Sequence, residues 1–142
     1  MTMCEILFRG KTDKGEWVYG QLLYFKASVG TDELAIIVES CEWDNSNEWF
    51  NLGKRANVIP ETVGQYTGFT ANDTKIFDGD ICKSSDGVFV VRWNKDKCAF
   101  VMNFFDYPNE ELYMEEMLDD TEVIGNIYDN AELIGEQEKW LN

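Results

Sequence analysis

Asp78-Gly79-Asp80 sets two carboxylates within one turn of chain. Such a pair can bind a divalent cation or serve as acid and base. A calcium loop, however, needs alternating oxygen ligands ending in Glu, and that pattern does not follow. Ahead of a strand, Asp-Gly-Asp is more simply turn chemistry: an Asp oxygen takes backbone N–H groups and Gly takes the unusual dihedral. The chain has no histidine. That excludes His-dependent triads, a His–Cys dyad and any His-ligated zinc. Cys4, Cys41, Cys82 and Cys98 are scattered singletons, whereas structural zinc sites use paired cysteines. They read as reduced, mostly buried thiols of a cytoplasmic protein. Carboxylate, thiol, hydroxyl and lysine chemistry remain, and no pair of these stands out. The expectation is no catalytic residue, no metal site and no cofactor: a protein that is not an enzyme.

Other residue groups suit binding. Arg9 and Lys11, with Lys14 nearby, form a modest basic cluster beside Trp17 and Tyr19, which could make a small aromatic-basic surface for nucleic acid. The plainer reading is strand-edge charge that blocks edge pairing. Glu61, Thr62, Gln65, Tyr66 and Thr67 place polar groups near a glycine-flanked turn. They could line a small pocket or touch a partner, but hydroxyls there more simply satisfy local backbone groups. Gly64-x-x-x-Gly68 is no phosphate loop, because it lacks the Gly-Lys-Ser/Thr ending and the following helix. Arg9, Lys11, Trp17, Tyr19, Gln65 and Tyr66 are the candidate interaction surface.

The elements that position these residues are mostly strands. Glu5–Lys11 and Glu16–Phe25 read as a hairpin closed by Thr12-Asp13-Lys14-Gly15. Trp17 and Tyr19 then share one face, with Val18 and Gly20 on the other. Leu34–Glu39 is a third strand, whose near-continuous apolar run suggests that both faces are covered. Asp44-Asn45-Ser46-Asn47, between Trp43 and Trp49, reads as the tip of another hairpin. Pro60 pushes Ile59 towards extended geometry. Ala71-Asn72-Asp73-Thr74 is a polar turn. A meander follows: a strand from Asp80, the Asp86-Gly87 turn, Val88–Trp93, the Asn94–Lys97 turn, and Cys98–Phe104. Pro108–Leu118 is rich in Glu, Met and Leu and predicts a short helix, with Leu112, Tyr113, Met114, Met117 and Leu118 packing on the sheet or offering a Met-rich docking face. Thr121–Tyr128 reads as a last strand, and Asn130 as the cap of a final helical turn through Glu132-Leu133-Ile134.

Bulk composition agrees. The chain has 142 residues, 44% of them hydrophobic and 14% aromatic, which suits a globular β protein able to bury its own core. No apolar run approaches the ~18 residues of a membrane span, and no signal core opens the chain. Net charge is −15 and uneven: residues 1–103 carry eleven Lys/Arg against fifteen Asp/Glu, whereas residues 104–142 carry one Lys against twelve acids. Such acidity repels phosphate backbones and anionic lipids, disfavouring nucleic acid and membranes.

Three blocks resemble the YopX family, small proteins typical of phages and prophages. The first is Ile6–Lys11 with Gly15–Gly20. The second is Pro60–Gly68 with Lys75–Ile81. The third is Val123–Asn130 with Glu132-Leu133. They run in the family's order over nearly the whole chain. Ala131 stands where the family often has proline, and residues 41–57 look peculiar to this chain. The resemblance implies a mostly β architecture with an SH3-like barrel component. It supplies no activity, because the family's biochemical role is not established. The reading is therefore a mainly β protein: an N-terminal β-hairpin region over 1–57, then an SH3-like small barrel over 58–142, with one or two short helices. Its expected role is that of a cytoplasmic phage or prophage accessory protein acting by contact with a protein partner or by self-association. The alternatives are a small nucleic-acid-binding barrel and an acidic decoy of a host nucleic-acid-binding protein.

Overall fold

The structure, a computed structural model, describes residues 3–30, 32–114 and 120–135. It is mainly β. Contacts divide the chain into two compact units, Met1–Gln65 and Tyr66–Asn142, and the boundary falls inside a strand.

The first unit begins with β1 (Phe8–Lys11) and β2 (Trp17–Lys26), paired antiparallel from Phe8↔Gly20 to Lys11↔Trp17. The expected hairpin is present. β3 (Glu33–Val38) pairs with β2, and β6 (Arg55–Val58) pairs with β3. Between them lie β4 (Cys41–Asp44) and β5 (Trp49–Leu52), a separate two-stranded ribbon. Gly64 and Gln65, the start of β7 (Gly64–Ala71), pair back to Arg9 and Phe8.

The period-2 alternation of β2 and β3 turns Val18, Leu22, Ala35 and Ile37 to one side. There they meet Phe8, Val58 and Val63 in a core. Each such aliphatic side chain, fully buried, contributes about 1.5–3 kcal/mol. Gly20 lies on this core-facing side, and a β-carbon there would run into the backbone carbonyl of Val38. The sheet is covered less evenly than the apolar run of β3 suggested. Ala35 and Ile37 are buried, while on the other face coverage falls off along the strand, from the buried Val38 to the exposed Leu34.

Ile59 is extended, as Pro60 requires, and Pro60–Thr62 forms one 3-10 turn. The buried Thr62 hydroxyl donates to the Ile59 carbonyl and accepts the Lys11 N–H at 2.9 Å. The hydroxyl thus satisfies one local backbone group, as expected, and also ties the turn to β1, 51 residues back in the chain.

In the second unit the rest of β7 pairs with β8 (Thr74–Phe77) across a tight turn at Asn72 and Asp73. Gly64–Gly68 is therefore strand and not the expected turn. The register slips between Tyr66 and Thr70, where Gly68 has φ +89°. Thr67 stitches this irregularity: its Oγ1 accepts the Phe69 N–H at 3.1 Å and donates to the Ile76 carbonyl at 2.8 Å. The expected meander follows as β9 (Asp80–Ser84), β10 (Gly87–Asn94) and β11 (Ala99–Phe104). It is extended on one side by β12 (Leu112–Tyr113) and on the other by β13 (Glu122–Asn126), giving the five-stranded antiparallel order β12-β11-β10-β9-β13.

One face of these strands carries Cys82, Phe89, Val91, Met102 and Phe104 with Ala71 and Ile76. Ile81, Val90, Ile127 and Ile134 form a second cluster. The Phe89 and Phe104 rings pack at 4.9 Å.

Two helix expectations are corrected. Leu112 and Tyr113 are strand, paired to Met102 and Val101 of β11. An open strand edge supplied those backbone groups with partners, and tertiary pairing overrode helix propensity. Residues 115–118 of that expected helix lie outside the described residues. Near the end, a 3-10 turn covers Ala131–Leu133, but Asn130 makes no side-chain cap. Its Oδ1 instead accepts the Asn126 N–H at 3.1 Å, closing the loop after β13. No helix of the described residues is long and apolar enough to cross a membrane.

Candidate interaction surface

The Asp78-Gly79-Asp80 pair is built into the fold. Asp80 is buried, and its Oδ2 accepts the Phe77 N–H at 2.7 Å. Asp78 Oδ1 accepts the Trp93 N–H at 3.1 Å and pairs with Arg92 Nε at 3.2 Å. Gly79, at φ +92°, donates its N–H to the Val91 carbonyl, and its own carbonyl accepts the Ile127 N–H. Asp80 thus makes the local turn bond expected of this motif, whereas Asp78 bonds the backbone of β10, fifteen residues on. Among the described residues no group of three or more Cys, Asp or Glu side chains is placed to hold a metal ion.

The six candidate surface residues do not form one surface. Arg9, Lys11, Trp17 and Tyr19 do share a face, since Arg9 pairs with Tyr19 and Lys11 with Trp17 in register. The Arg9 guanidinium carbon lies 4.8 Å from the Trp17 ring centroid, and Lys11 Nζ lies 5.9 Å from it. Yet Arg9 is buried, at 6% exposure, so it is not a surface cation. Lys11 and Trp17 are half-buried, and only Tyr19 is well exposed. Gln65 pairs opposite Phe8 and therefore belongs to the other face. Tyr66 lies in the second unit, buried, with its ring 5.7 Å from Phe77 and 5.1 Å from Lys75 Nζ.

The β4–β5 segment reads in the sequence as a hairpin and not as a site. β4 and β5 continue β3 and β6 through a joint where Glu39 N–H donates to the Lys54 carbonyl and Gly53 N–H to the Ser40 carbonyl. Beyond this joint the ribbon stands free as an arm: across residues 39–55 every residue is exposed except Asp44, which is intermediate. Four residues of strand project it by about 14 Å before the turn.

The register Cys41↔Leu52, Glu42↔Asn51, Trp43↔Phe50 and Asp44↔Trp49 sorts the side chains. Cys41, Trp43, Phe50 and Leu52 fall on one face; Glu42, Asp44, Asn51 and Trp49 fall on the other. Trp43 packs on Phe50 at 6.3 Å, and Trp49 stacks on Phe50 at 5.8 Å. Trp43, Trp49 and Phe50 remain 57%, 66% and 52% exposed. An isolated two-stranded ribbon is marginal in water, and the three large aromatics exposed on this one form an apolar patch.

The arm's tip is held by Asp44, whose Oδ1 accepts the Ser46 N–H at 2.9 Å and whose Oδ2 accepts from Asn47 Nδ2 at 2.8 Å. Hydrogen bonds from the Ser46 side chain, then from Asn47, hold its carboxyl below the ordinary range. Glu42, Asp44 and Glu48 make the arm acidic, and no Lys or Arg lies between residues 41 and 53.

The cysteines differ from expectation. All four are free thiols, but Cys4, Cys41 and Cys98 are exposed and only Cys82 is buried. Cys41 lies on the arm, and Cys98 closes the β10–β11 turn at φ +49°, so neither had a core to enter.

The YopX protein family matches residues 7–135, most of the chain. The chain belongs to the YopX family. The match spans the arm and both compact units, so the YopX region is the mainly β fold described above and not one part of it. A comparison with curated proteins gives no match to the chain.

Proposed function

We propose that this YopX-family chain is a non-catalytic accessory protein of a phage or prophage, a protein-interaction module whose β4–β5 arm enters an apolar groove with a basic rim on another protein. The observation that carries this reading is the exposed aromatic face of the arm. Trp and other aromatics dominate binding energy when an interface desolvates them, and Glu42, Asp44 and Glu48 call for Lys or Arg around the groove.

A second copy is the weaker occupant. Of the three large aromatics, arms stacked face to face would cover Trp43 and Phe50 but not Trp49. At 57% and 52% exposure, and 150–250 Å² per aromatic, that is about 330–550 Å² for the pair. A specific interface needs roughly 1,000 Å². A groove that also covers Trp49 gains both faces of the ribbon. The burial of Arg9 weakens the nucleic-acid alternative, since it removes one of the three cations that reading relied on.

The test is quantitative affinity purification from cells that encode the protein, using the wild type and the Trp43→Ala/Phe50→Ala variant. Any recovered protein is then purified and titrated against both. The double variant is expected to lose about 30-fold or more in affinity, the size of hot-spot truncation. A pair whose affinity ignores Trp43 and Phe50, or recovery of nothing above background across salt conditions, sinks the proposal. Binding to single- or double-stranded nucleic acid at low salt would favour the alternative instead.

A further inference from the structure

The second unit holds a cavity of about 230 Å³ lined by Asp86, Phe104, Tyr107, Glu110 and Leu112. It is smaller than the roughly 300 Å³ from which drug-sized ligand sites begin, and suits one side chain. Its walls are fixed by the fold. Phe104 ends β11, is buried, and is packed against Phe89. The turn beyond it is tied by Tyr107 N–H to the Phe104 carbonyl and Glu110 N–H to the Tyr107 carbonyl. Leu112 is held by its pairing with Met102. Asp86 reaches the cavity from the β9–β10 turn, where its N–H donates to Ser84 Oγ.

Phe104 and Tyr107 stand edge to face, 6.4 Å apart at 65°, forming an aromatic corner. Phe104 is 6% exposed, while Tyr107 and Leu112 keep about half their surface open. Two carboxylates flank this corner. Among the described residues no cation pairs with either one, whereas the neighbouring Glu111 is engaged by Lys97 at 3.5 Å and Asn94 at 2.6 Å.

We infer that this cavity is a binding site for the cationic side chain of an arginine or lysine on a partner protein. An apolar stem fits against Leu112 and Phe104. The positive head lies against the aromatic rings, which attract cations through their quadrupoles, with Asp86 and Glu110 to neutralise it. An anionic or purely aliphatic ligand satisfies only part of this lining. The inference rests on the binding reading above only in taking that side chain from a protein.

The test titrates the full chain with three eight-residue peptides alternating Gly with Arg, Lys or citrulline, followed by NMR shifts and calorimetry. Citrulline keeps the shape of arginine without its charge. Shifts are expected to centre on Phe104, Tyr107 and Leu112, with the citrulline peptide at least tenfold weaker. The Arg and Lys peptides show which cation the cavity prefers. Tyr107→Ala should weaken binding about fivefold or more, and Asp86→Asn/Glu110→Gln should do the same. Asp13→Asn/Glu16→Gln, an equal change of charge in an exposed loop, should leave it unchanged. Equal losses from the two charge pairs, indifference to Tyr107, or equal binding of the citrulline peptide overturns the inference. The peptides read the cavity alone, and the arm variants read the module, so either can fail without the other.

Discussion

Asp80 and Phe77 are joined across the Gly79 turn, with Asp80 Oδ2 accepting the Phe77 N–H at 2.7 Å in a site where Asp80 is 1% exposed. A carboxylate in that position organises backbone. Removing it leaves a buried donor unpaired, which costs about 1–3 kcal/mol. Asp80→Ala is therefore expected to lower the urea midpoint with no change in slope. Unchanged stability would return Asp80 to the list of candidate functional carboxylates.

Gly20 presents a different constraint. A β-carbon there meets the Val38 carbonyl, which belongs to backbone and cannot rotate away. Gly20→Ala should force β2 and β3 apart and cost about 1–3 kcal/mol, as overpacking does. Denaturant unfolding reads this directly, and wild-type stability in the variant would contradict the close approach.

The arm should be dispensable for folding. Trp43 and Phe50 are more than half exposed, whereas Phe89 is 1% exposed in the core of the second unit. Trp43→Ala/Phe50→Ala should alter stability by no more than about 0.5 kcal/mol, while Phe89→Ala should cost about 3–5 kcal/mol. A large loss from the arm variant would mean that the arm packs on its own chain.

Acid should loosen the tip of the arm. The Asp44 carboxyl is held below its ordinary 3.8, first by the Ser46 side chain and then by Asn47. A carboxyl depressed in the folded state contributes order above its unfolded pKa and loses it as pH falls through the folded one. NMR signals of Ser46 and Asn47 should stay constant from neutral pH down to about pH 5 and move only below the ordinary carboxylate value. An Asp44 midpoint above 3.8 would contradict the hydrogen bonding at the tip.

Thiol labelling gives a further check on burial. Cys4, Cys41 and Cys98 should be alkylated in the native protein, and Cys82, at 0% exposure, only after unfolding. Labelling of Cys82 at the rate of the others would mean that β9 opens readily.

Much of this protein was legible in its residues. Turn chemistry located the hairpins, because a polar tip such as Asn94–Lys97 or Asn45–Asn47 can form only where strands reverse. Period-2 alternation sorted Trp17 and Tyr19 from Val18 and Gly20 before any partner strand was known. The Asp78 and Asp80 carboxylates were assigned to backbone, and hydrogen bonds to Trp93 and Phe77 bear that assignment out. The YopX blocks marked the family from residue types and order alone.

Other features depend on which residues meet. Helix propensity over Leu112–Tyr113 lost to an open edge on β11, because a strand edge offers backbone partners that no local pattern announces. Gly64–Gly68 reads as a turn until β1 and β8 take its backbone on either side of Gln65. Arg9 reads as a surface cation until packing buries it beside Trp17. The cavity of Asp86, Phe104, Tyr107, Glu110 and Leu112 joins two turns and an edge strand that are distant in sequence. The chain by itself determined where strands form and reverse, since that is decided by neighbouring residues. Tertiary structure alone decided which aromatics and carboxylates stay in water, since exposure depends on what the rest of the fold leaves uncovered.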